Sequence, residues 1–114
     1  MNEKQSSTVD VLAFVAHPDD AEIFCGGFLL KMHELGHRTG VVDLTRGEMS
    51  SQGDAETRAK ETEAATAVLG LSYRANLEFP DGAVGVIGGG DRYLAEDGEL
   101  AKIVTEIRTL RPAL

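Results

Sequence analysis

Three short stretches with the character of β-strands alternate along the chain with segments of helical character. The first, DVLAFVA from Asp10 to Ala16, is an unbroken apolar run after its first residue, as in a strand that is buried on both faces. TGVVDLT, Thr39 to Thr45, and RANLEF, Arg74 to Phe79, predict a second and a third strand. This alternation predicts an α/β fold with a Rossmann-like, doubly wound and mostly parallel sheet.

The segments between and after these strands have the features of helices. Residues 20–35 are apolar around most of the helix circumference, and Asp19 or Asp20 is available as the N-cap. Residues 54–69 are rich in alanine and in charged side chains of both signs. Residues 100–110 repeat apolar side chains at helical spacing after a glycine-rich stretch. In a sheet of this type, ligands bind beyond the carboxyl ends of the strands, so site residues are expected in the loops there.

The end of the chain bears on its domain organisation. We expect residues 1–114 to form a single α/β domain, because a chain of 114 residues is long enough for one core. Pro112 ends the third helix, and Ala113 and Leu114 have the character of the first residues of a fourth strand. An α/β domain seldom ends there. We therefore expect the amino-terminal portion of a larger domain, truncated at the start of its fourth strand.

The charge balance narrows the class of partner. The sequence has 19 acidic and 11 basic residues and a formal net charge of −8, so it lacks the electrostatic features of a nucleic-acid binder. Its apolar runs are too short to span a bilayer, and its amino terminus lacks the apolar segment of a signal peptide. We expect a cytoplasmic protein that binds a small molecule, with no nucleic acid and no membrane as partner.

The stretch MHELGH, Met32 to His37, matches the H-E-x-x-H pattern of zinc proteases. That site needs a continuous helix through both histidines, which then project to one metal ion. Gly36 is instead placed where a helix ends, and a strand is predicted to begin a few residues later. We therefore expect His33 near the end of the first helix and His37 in a loop, without a shared metal ion.

A second candidate site, AHPDDAE, directly follows the first predicted strand. Pro18 stiffens this turn and biases His17 to an extended backbone. An imidazole and a carboxylate suit Zn²⁺ or a similar divalent metal, and a second carboxylate beside them can take a proton from bound water. A catalytic zinc normally has three protein ligands. The residues alone therefore leave two interpretations open, a metal site built from His17, Asp19 and Asp20 or a pair of helix-capping aspartates beside an incidental histidine.

AHPDDAEIFCGG, taken with DLTRGEMSSQGDAETRAKETEAATAVLG and NLEFPDG, resembles the LmbE-like (PIG-L) family of zinc-dependent N-acetylglucosaminyl deacetylases. The similarity covers most of Val11 to Gly82 in the family's order and spacing. The second stretch is most similar to the branch that acts on N-acetylglucosaminyl malate in bacillithiol synthesis. The resemblance implies a metal-dependent enzyme that uses water to hydrolyse the acetamide of an N-acetylglucosamine-type substrate, giving acetate and a free amino sugar.

The resemblance also implies roles for individual residues. His17 and Asp20 would ligate the metal, Zn²⁺ or iron, and Asp19 would be the general base. Arg58, in the second predicted helix, and Asp81, in the PDG sequence after the third strand, match positions that hold the sugar. From the residues alone, Arg58 can equally be a solvated helix charge and Asp81 an ordinary turn residue.

The metal site of this chain departs from the family pattern. The family's third zinc ligand is a histidine just after the strand that would begin at Ala113, and the sequence offers no clear replacement. Glu48 matches a recurrent family position, but we assign it no chemical role.

Two alternatives to an active deacetylase follow. One is a non-catalytic fragment without a complete metal site, which would associate with a partner or into a homo-oligomer. The other is a receiver-like signalling module, in which Asn76 would stand at the position of the phosphoacceptor. Asparagine cannot form an acyl phosphate, so the second alternative is the weaker of the two.

Overall fold

Strands and helices alternate throughout the part of the chain that the structure, a computed structural model, describes: residues 8–48, 55–82 and 98–114. The elements in chain order are β1 (Val11–Val15), α1 (Asp20–Glu34), β2 (Thr39–Thr45), α2 (Ala55–Leu69), β3 (Tyr73–Phe79) and α3 (Glu99–Leu110). Each predicted strand and helix is present, with ends that differ from the predicted ones by a few residues at most. None of the helices in these ranges is long and apolar enough to cross a membrane.

The strands form one parallel sheet in the order β1-β2-β3. The outer edge of β1 is also paired, because Leu114 N donates to Asp10 O (3.1 Å) and Leu12 N donates to Leu114 O (2.9 Å). These two bonds have the pattern of a parallel ladder. Leu114 thus lies beside β1 at the position where the sequence predicts a fourth strand to begin. The parallel sheet with its helices confirms the predicted α/β class.

The core lies between α1 and the sheet. Ala21 and Leu29 of α1 pack with Val41 of β2, and none of the three has any solvent exposure. All residues of β2 except one are buried, including the polar Thr39, Asp43 and Thr45. Each methylene buried in such a core stabilises the fold by roughly 0.8 kcal/mol. The packing of α1 on β2 therefore stabilises the sheet, and the loops emerge from the carboxyl edge of that sheet.

The carboxyl-terminal end of α1 settles the meaning of MHELGH. The helix ends at Glu34, and Gly36 adopts a left-handed backbone (φ 93°) with its N–H bonded to His33 O. His37 lies beyond this turn, where its Nδ1 is 3.8 Å from Asp10 Oδ2. Because glycine ends the helix between the two histidines, they do not share a helical face. The expected end of the helix between His33 and His37 is confirmed.

The amino-terminal end of α1 corrects one prediction. Asp19 occupies the N-cap position, but its side chain makes no capping hydrogen bond. The physical reason is its backbone, which is left-handed (φ 84°, ψ −15°), whereas a capping side chain needs the extended conformation. Asp20 is the first residue of α1 and not its N-cap, and its Oδ2 accepts a 3.0 Å hydrogen bond from His17 N.

A buried ion pair joins β2 to β3. Arg74 donates from Nε and Nη2 to the two carboxylate oxygens of Asp43, each at 2.9 Å. The side chains are 8% and 2% exposed. Glu22 of α1 adds a second carboxylate, with its Oε1 3.5 Å from Arg74 Nη2. A bidentate arginine-carboxylate pair of this kind fixes geometry as well as charge, so it connects the sheet to the start of α1.

Candidate active site

Three loops meet at the carboxyl edge of the sheet because the strands that lead into them are parallel. The loop after β1 carries His17, the loop after β2 carries Glu48 and the loop after β3 carries Asp81. Thr45, the last residue of β2, binds Ala16 O through both its backbone N–H (3.0 Å) and its hydroxyl (2.9 Å). The first two loops are therefore fixed to each other at their bases.

His17 is held by Asp81, which lies 64 positions further along the chain. The two side chains share a 2.7 Å hydrogen bond between Nε2 and Oδ1. Asp81 is 8% exposed and His17 46%. The hydrogen bond to Asp81 raises the pKa of His17 above its usual value, and desolvation opposes this only in part. A carboxylate only accepts hydrogen bonds, so Nε2 carries the proton in this arrangement.

His17 and Asp20 form the pair of groups that suits a metal ion. Asp20 Oδ2 lies 3.5 Å from His17 Nδ1. Two ligands of a tetrahedral zinc, at its usual bond lengths to nitrogen and carboxylate oxygen, are about 3.4 Å apart. With Nε2 protonated toward Asp81, the lone pair of the neutral ring is on Nδ1, on the Asp20 side. The donor set therefore fits Zn²⁺, although the described residues contain no group of three or more candidate ligands.

Asp19 lies between these two residues in sequence and is exposed. It adopts a left-handed backbone, which is uncommon for a residue other than glycine even though aspartate adopts it more often than most. Its carbonyl accepts the N–H of Ile23 in the first turn of α1. Backbone strain of this kind is concentrated at functional sites. The predicted role of Asp19 as general base stays a prediction.

Arg58 reaches the same group of loops from α2. Its Nη2 donates to Arg46 O (3.3 Å), whereas its Nε is buried and has no hydrogen-bond partner among the described residues. Gly47 lies between Arg58 and His17: a Cβ at position 47 would be 3.2 Å from Arg58 Nη1 and 3.8 Å from His17 Cδ2. The absence of a side chain at Gly47 therefore allows the guanidinium and the imidazole to approach each other.

Glu48 is a site residue to which the sequence interpretation gave no role. Its Oε2 accepts a 2.8 Å hydrogen bond from the backbone N–H of Asp81. That hydrogen bond is the main reason why the pKa of Glu48 is lowered. The only sequence signal for Glu48 was its match to a recurrent family position. Its partner is a backbone amide, which every residue except proline has, so the type of the partner residue carries no signal.

A cavity of about 790 Å³ opens beside these loops, within the usual range for small-molecule sites of about 300–1,000 Å³. Its lining includes Pro18, Arg46, Glu48, Arg58, Asn76 and Glu78. The Asn76 amide donates to Thr45 O, and its oxygen accepts the N–H of Glu78, both at 2.7 Å. Asn76 thus joins the ends of β2 and β3. It is the residue that would stand at the phosphoacceptor position of a receiver-like module.

The structure therefore brings together four of the five predicted site residues. His17 contacts both Asp20 and Asp81, and Arg58 lies across Gly47 from His17. Asp19 is adjacent in the chain but is not tied to them by a described side-chain contact. The hydrogen bond between Asp81 and His17 was not predicted, since Asp81 was assigned to the sugar.

Comparison with curated proteins gives deacetylases as relatives. The chain is 37% identical over 82 residues to 1D-myo-inositol 2-acetamido-2-deoxy-alpha-D-glucopyranoside deacetylase of Corynebacterium jeikeium (strain K411), which covers 68% of this chain and 25% of that protein. It is 34% identical over 71 residues to the uncharacterized deacetylase YaiS of Escherichia coli (strain K12), covering 62% of this chain and 38% of that protein. The chain thus spans well under half the length of these relatives.

Solved structures show the same fold. The conserved protein TT1542 of Thermus thermophilus superposes with a TM-score of 0.76 at 42% identity, covering 92% of this chain and 44% of that one. The N,N'-diacetylchitobiose deacetylase of Pyrococcus horikoshii superposes with a TM-score of 0.58 at 30% identity, covering 63% of this chain and 30% of that one.

A family profile matches nearly the whole chain. It is that of PIG-L, described as GlcNAc-PI de-N-acetylase, and it matches residues 12–114. The matched range contains every residue of the candidate site, including His17, Asp20 and Asp81. The protein therefore belongs to the PIG-L (LmbE-like) deacetylase family.

Proposed function

We propose that this protein takes part in the metal-dependent hydrolysis of an acetamide on an N-acetylglucosamine-type sugar. The observation that carries the proposal is the arrangement of His17 between Asp20 and Asp81, at the edge of the sheet where this fold binds ligands. Membership of the deacetylase family supports the reaction class. The names of two relatives support an N-acetylated sugar as substrate.

In this proposal His17, through Nδ1, and Asp20, through Oδ2, hold a divalent metal, Zn²⁺ or iron. Such an ion supplies two effects when bound: it polarises the acyl carbonyl, and it lowers the pKa of a bound water to about 7. Asp81 keeps the proton on the far nitrogen of His17 and so presents the ring in the tautomer that a metal needs. A catalytic zinc normally has three protein ligands, and His17 and Asp20 are the two that the described residues supply to this proposal.

Asp19 is the proposed general base. It removes a proton from the attacking water, the water oxygen forms a bond to the acetyl carbon, and the carbon–nitrogen bond breaks. The same carboxyl then returns the proton to the departing nitrogen, so the products are acetate and a free amine. Asp19 is exposed at the start of α1 and directly precedes Asp20 in the chain, so in this proposal its carboxylate acts on a water held by the metal.

Arg58 is the proposed sugar-binding residue. Its buried Nε has no hydrogen-bond partner among the described residues, and an unsatisfied buried donor costs about 1–3 kcal/mol. A sugar hydroxyl or a carboxylate in the cavity would remove that cost. Asp81 keeps its predicted contact with the sugar only as a second role, because one of its oxygens is already bonded to His17.

The candidate substrates differ in the group that is attached to the sugar. The sequence resembles the bacillithiol branch, whereas the named relatives are an inositol-linked and a chitobiose deacetylase. We propose an N-acetylglucosaminyl glycoside with a small polar aglycone. N-acetylglucosaminyl malate, the inositol-linked sugar and N,N'-diacetylchitobiose form a suitable panel. Acetate release from at least one of them is expected.

The test compares wild-type protein with Asp19→Asn on this panel, after loading both with Zn²⁺. General-base catalysis contributes about 10²–10⁴-fold, so the substitution should reduce turnover by a factor in that range while zinc content stays the same. Zinc-loaded wild type that releases no acetate from any member, or an Asp19→Asn variant with full turnover, would count against the proposal. The first outcome would favour the non-catalytic alternative.

A further inference from the structure

We propose that Glu48 is a positioning residue, which sets the orientation of His17 by fixing the backbone of Asp81. The inference rests on the proposed function, since it gives the loop after β2 a part in the metal site. Glu48 has no described contact with either of the proposed metal ligands, His17 and Asp20.

A hydrogen bond joins the second loop to the third. Glu48 Oε2 accepts the N–H of Asp81 at 2.8 Å. A hydrogen bond from a backbone amide to a carboxylate is charge-assisted and stronger than a neutral one. The lowered pKa of Glu48, caused first by this bond, agrees with an ionised acceptor. The bond restrains the start of the turn formed by Asp81 and Gly82.

A second hydrogen bond joins the third loop to the first. The side chain of Asp81 binds His17 at 2.7 Å and is 8% exposed. Gly82, which follows it, has a left-handed backbone (φ 81°). Glycine restricts the backbone less than any other residue, so the bond to Glu48 supplies a restraint on this turn that Gly82 does not. A shift in the Asp81 backbone would therefore move its carboxylate away from Nε2.

The metal-binding side of the His17 ring depends on both bonds. His17 Nδ1 lies 3.5 Å from Asp20 Oδ2 only while the ring keeps its present orientation. Loss of a group that orients a metal-binding histidine typically lowers metal affinity about 10–100-fold. Glu48 acts one residue further away, so the effect of its removal should lie at the lower end of that range, about tenfold.

Glu48 also lines the cavity, so a direct contact with substrate is the competing explanation. Two measurements without substrate separate them. The first is the Zn²⁺ dissociation constant, obtained by competition with a chromophoric chelator. The second is the tautomer of the His17 ring in metal-free protein, from its ¹⁵N chemical shifts at mildly alkaline pH. A residue that only contacts substrate changes neither quantity.

The variants are Glu48→Ala, which removes the acceptor, and Glu48→Gln, which keeps an oxygen that can accept from Asp81 N–H. Glu63→Ala, an exposed glutamate of α2, is the matched control for loss of one negative charge. We expect Glu48→Ala to weaken zinc binding about tenfold and to mix the His17 tautomers. Glu63→Ala should stay within about twofold of wild type, and Glu48→Gln, whose neutral oxygen makes a weaker bond, should lose less affinity than Glu48→Ala.

The inference is overturned if Glu48→Ala, folded by circular dichroism, keeps both the wild-type zinc affinity and a single His17 tautomer. It is also overturned if Glu63→Ala changes zinc affinity as much as Glu48→Ala does, since the effect would then be one of net charge. Absence of zinc binding in wild type itself contradicts the proposed function instead. The tautomer measurement in metal-free protein still decides the role of Glu48 in that case.

Discussion

Nε2 of His17 lies 2.7 Å from Oδ1 of Asp81, so the loop after the first strand is bonded directly to the loop after the third. The other ring nitrogen faces Asp20 at 3.5 Å. A histidine with a carboxylate on one nitrogen and a second donor group beside the other is the usual arrangement of a metal ligand with its supporting acid. We therefore expect substitutions at Asp81 to act on the metal through His17.

Asp81→Ala should weaken Zn²⁺ binding about 10–100-fold, because the His17 ring loses the group that fixes its tautomer and orientation. Asp81→Asn should lose less, since the amide oxygen still accepts from Nε2. Chelator competition on purified protein measures both constants. Equal zinc affinity in wild type and Asp81→Ala, with both folded, would show that Asp81 has no part in holding the ring.

Asp19→Gly should separate stability from activity. A non-glycine residue in a strained backbone region costs about 1–3 kcal/mol, and glycine adopts the φ of 84° at Asp19 without that cost. We therefore expect the free energy of unfolding to stay equal or to increase, while acetate release falls by about 10²–10⁴-fold.

The control for this prediction is Arg111→Gly. Arg111 is exposed and has a similar left-handed backbone (φ 53°) at the C-cap of α3. It should gain stability in the same way and keep its activity. A large loss of stability in Asp19→Gly would mean that the aspartate side chain supports the turn, contrary to the strain proposed for its backbone.

Arg74→Met should destabilise the protein by about 3–5 kcal/mol, because it leaves the carboxylate of Asp43 buried without its partner. Asp43 is 2% exposed, so water cannot replace the guanidinium. The double variant Asp43→Leu/Arg74→Met should recover a large part of the loss, since a matched apolar pair carries no buried charge. Urea denaturation of wild type, the single variants Arg74→Met and Asp43→Leu, and the double variant measures this. Additive effects of the two substitutions would contradict the ion-pair interpretation.

Tyr73→Phe should change the response of the fold to alkaline pH. Burial and the hydrogen bond to Glu106 (2.7 Å) raise the pKa of Tyr73 from 10 to about 12. The folded state thus binds this proton more tightly than the unfolded state, so the phenol stabilises fully below pH 10 and this contribution is lost as pH rises to about 12.

The measurement for Tyr73 is the difference in unfolding free energy between wild type and Tyr73→Phe. At neutral pH it should be about 1 kcal/mol, the typical net value of a hydrogen bond. The difference should shrink as pH rises from 10 to about 12. A difference that is constant over that interval would mean that Tyr73 does not titrate differently in the two states.

Much of the fold could be predicted because local signals agreed with one another. The strand Thr39–Thr45 was predicted with the bounds observed, since its β-branched and apolar residues lie between the Gly36 turn and a loop rich in turn-forming residues. Gly36 marked the end of α1 because the left-handed turn there favours glycine. The N-cap of α1 was predicted less well. The residue type at Asp19 suits a cap, but its backbone conformation does not, and composition alone cannot reveal that difference.

The site residues could be predicted from two signals only, namely their position after the strands and the resemblance to the family. Both led to His17 and Asp20 as neighbours, since they are three positions apart in one turn. The contact of His17 with Asp81 spans 64 positions and depends on the parallel pairing of the strands. The bond from Asp81 N–H to Glu48 involves the backbone, so no pairing of residue types signals it.

The most direct test of a metal-dependent deacetylase is acetate release by metal-stripped protein as Zn²⁺ is added back, measured for the protein as its gene encodes it. We expect no turnover before addition, recovery at about one Zn²⁺ per chain, and no recovery in His17→Ala at the same concentrations. Full turnover in stripped wild type, or equal recovery in His17→Ala, would contradict a metal-dependent deacetylase centred on His17 and Asp20.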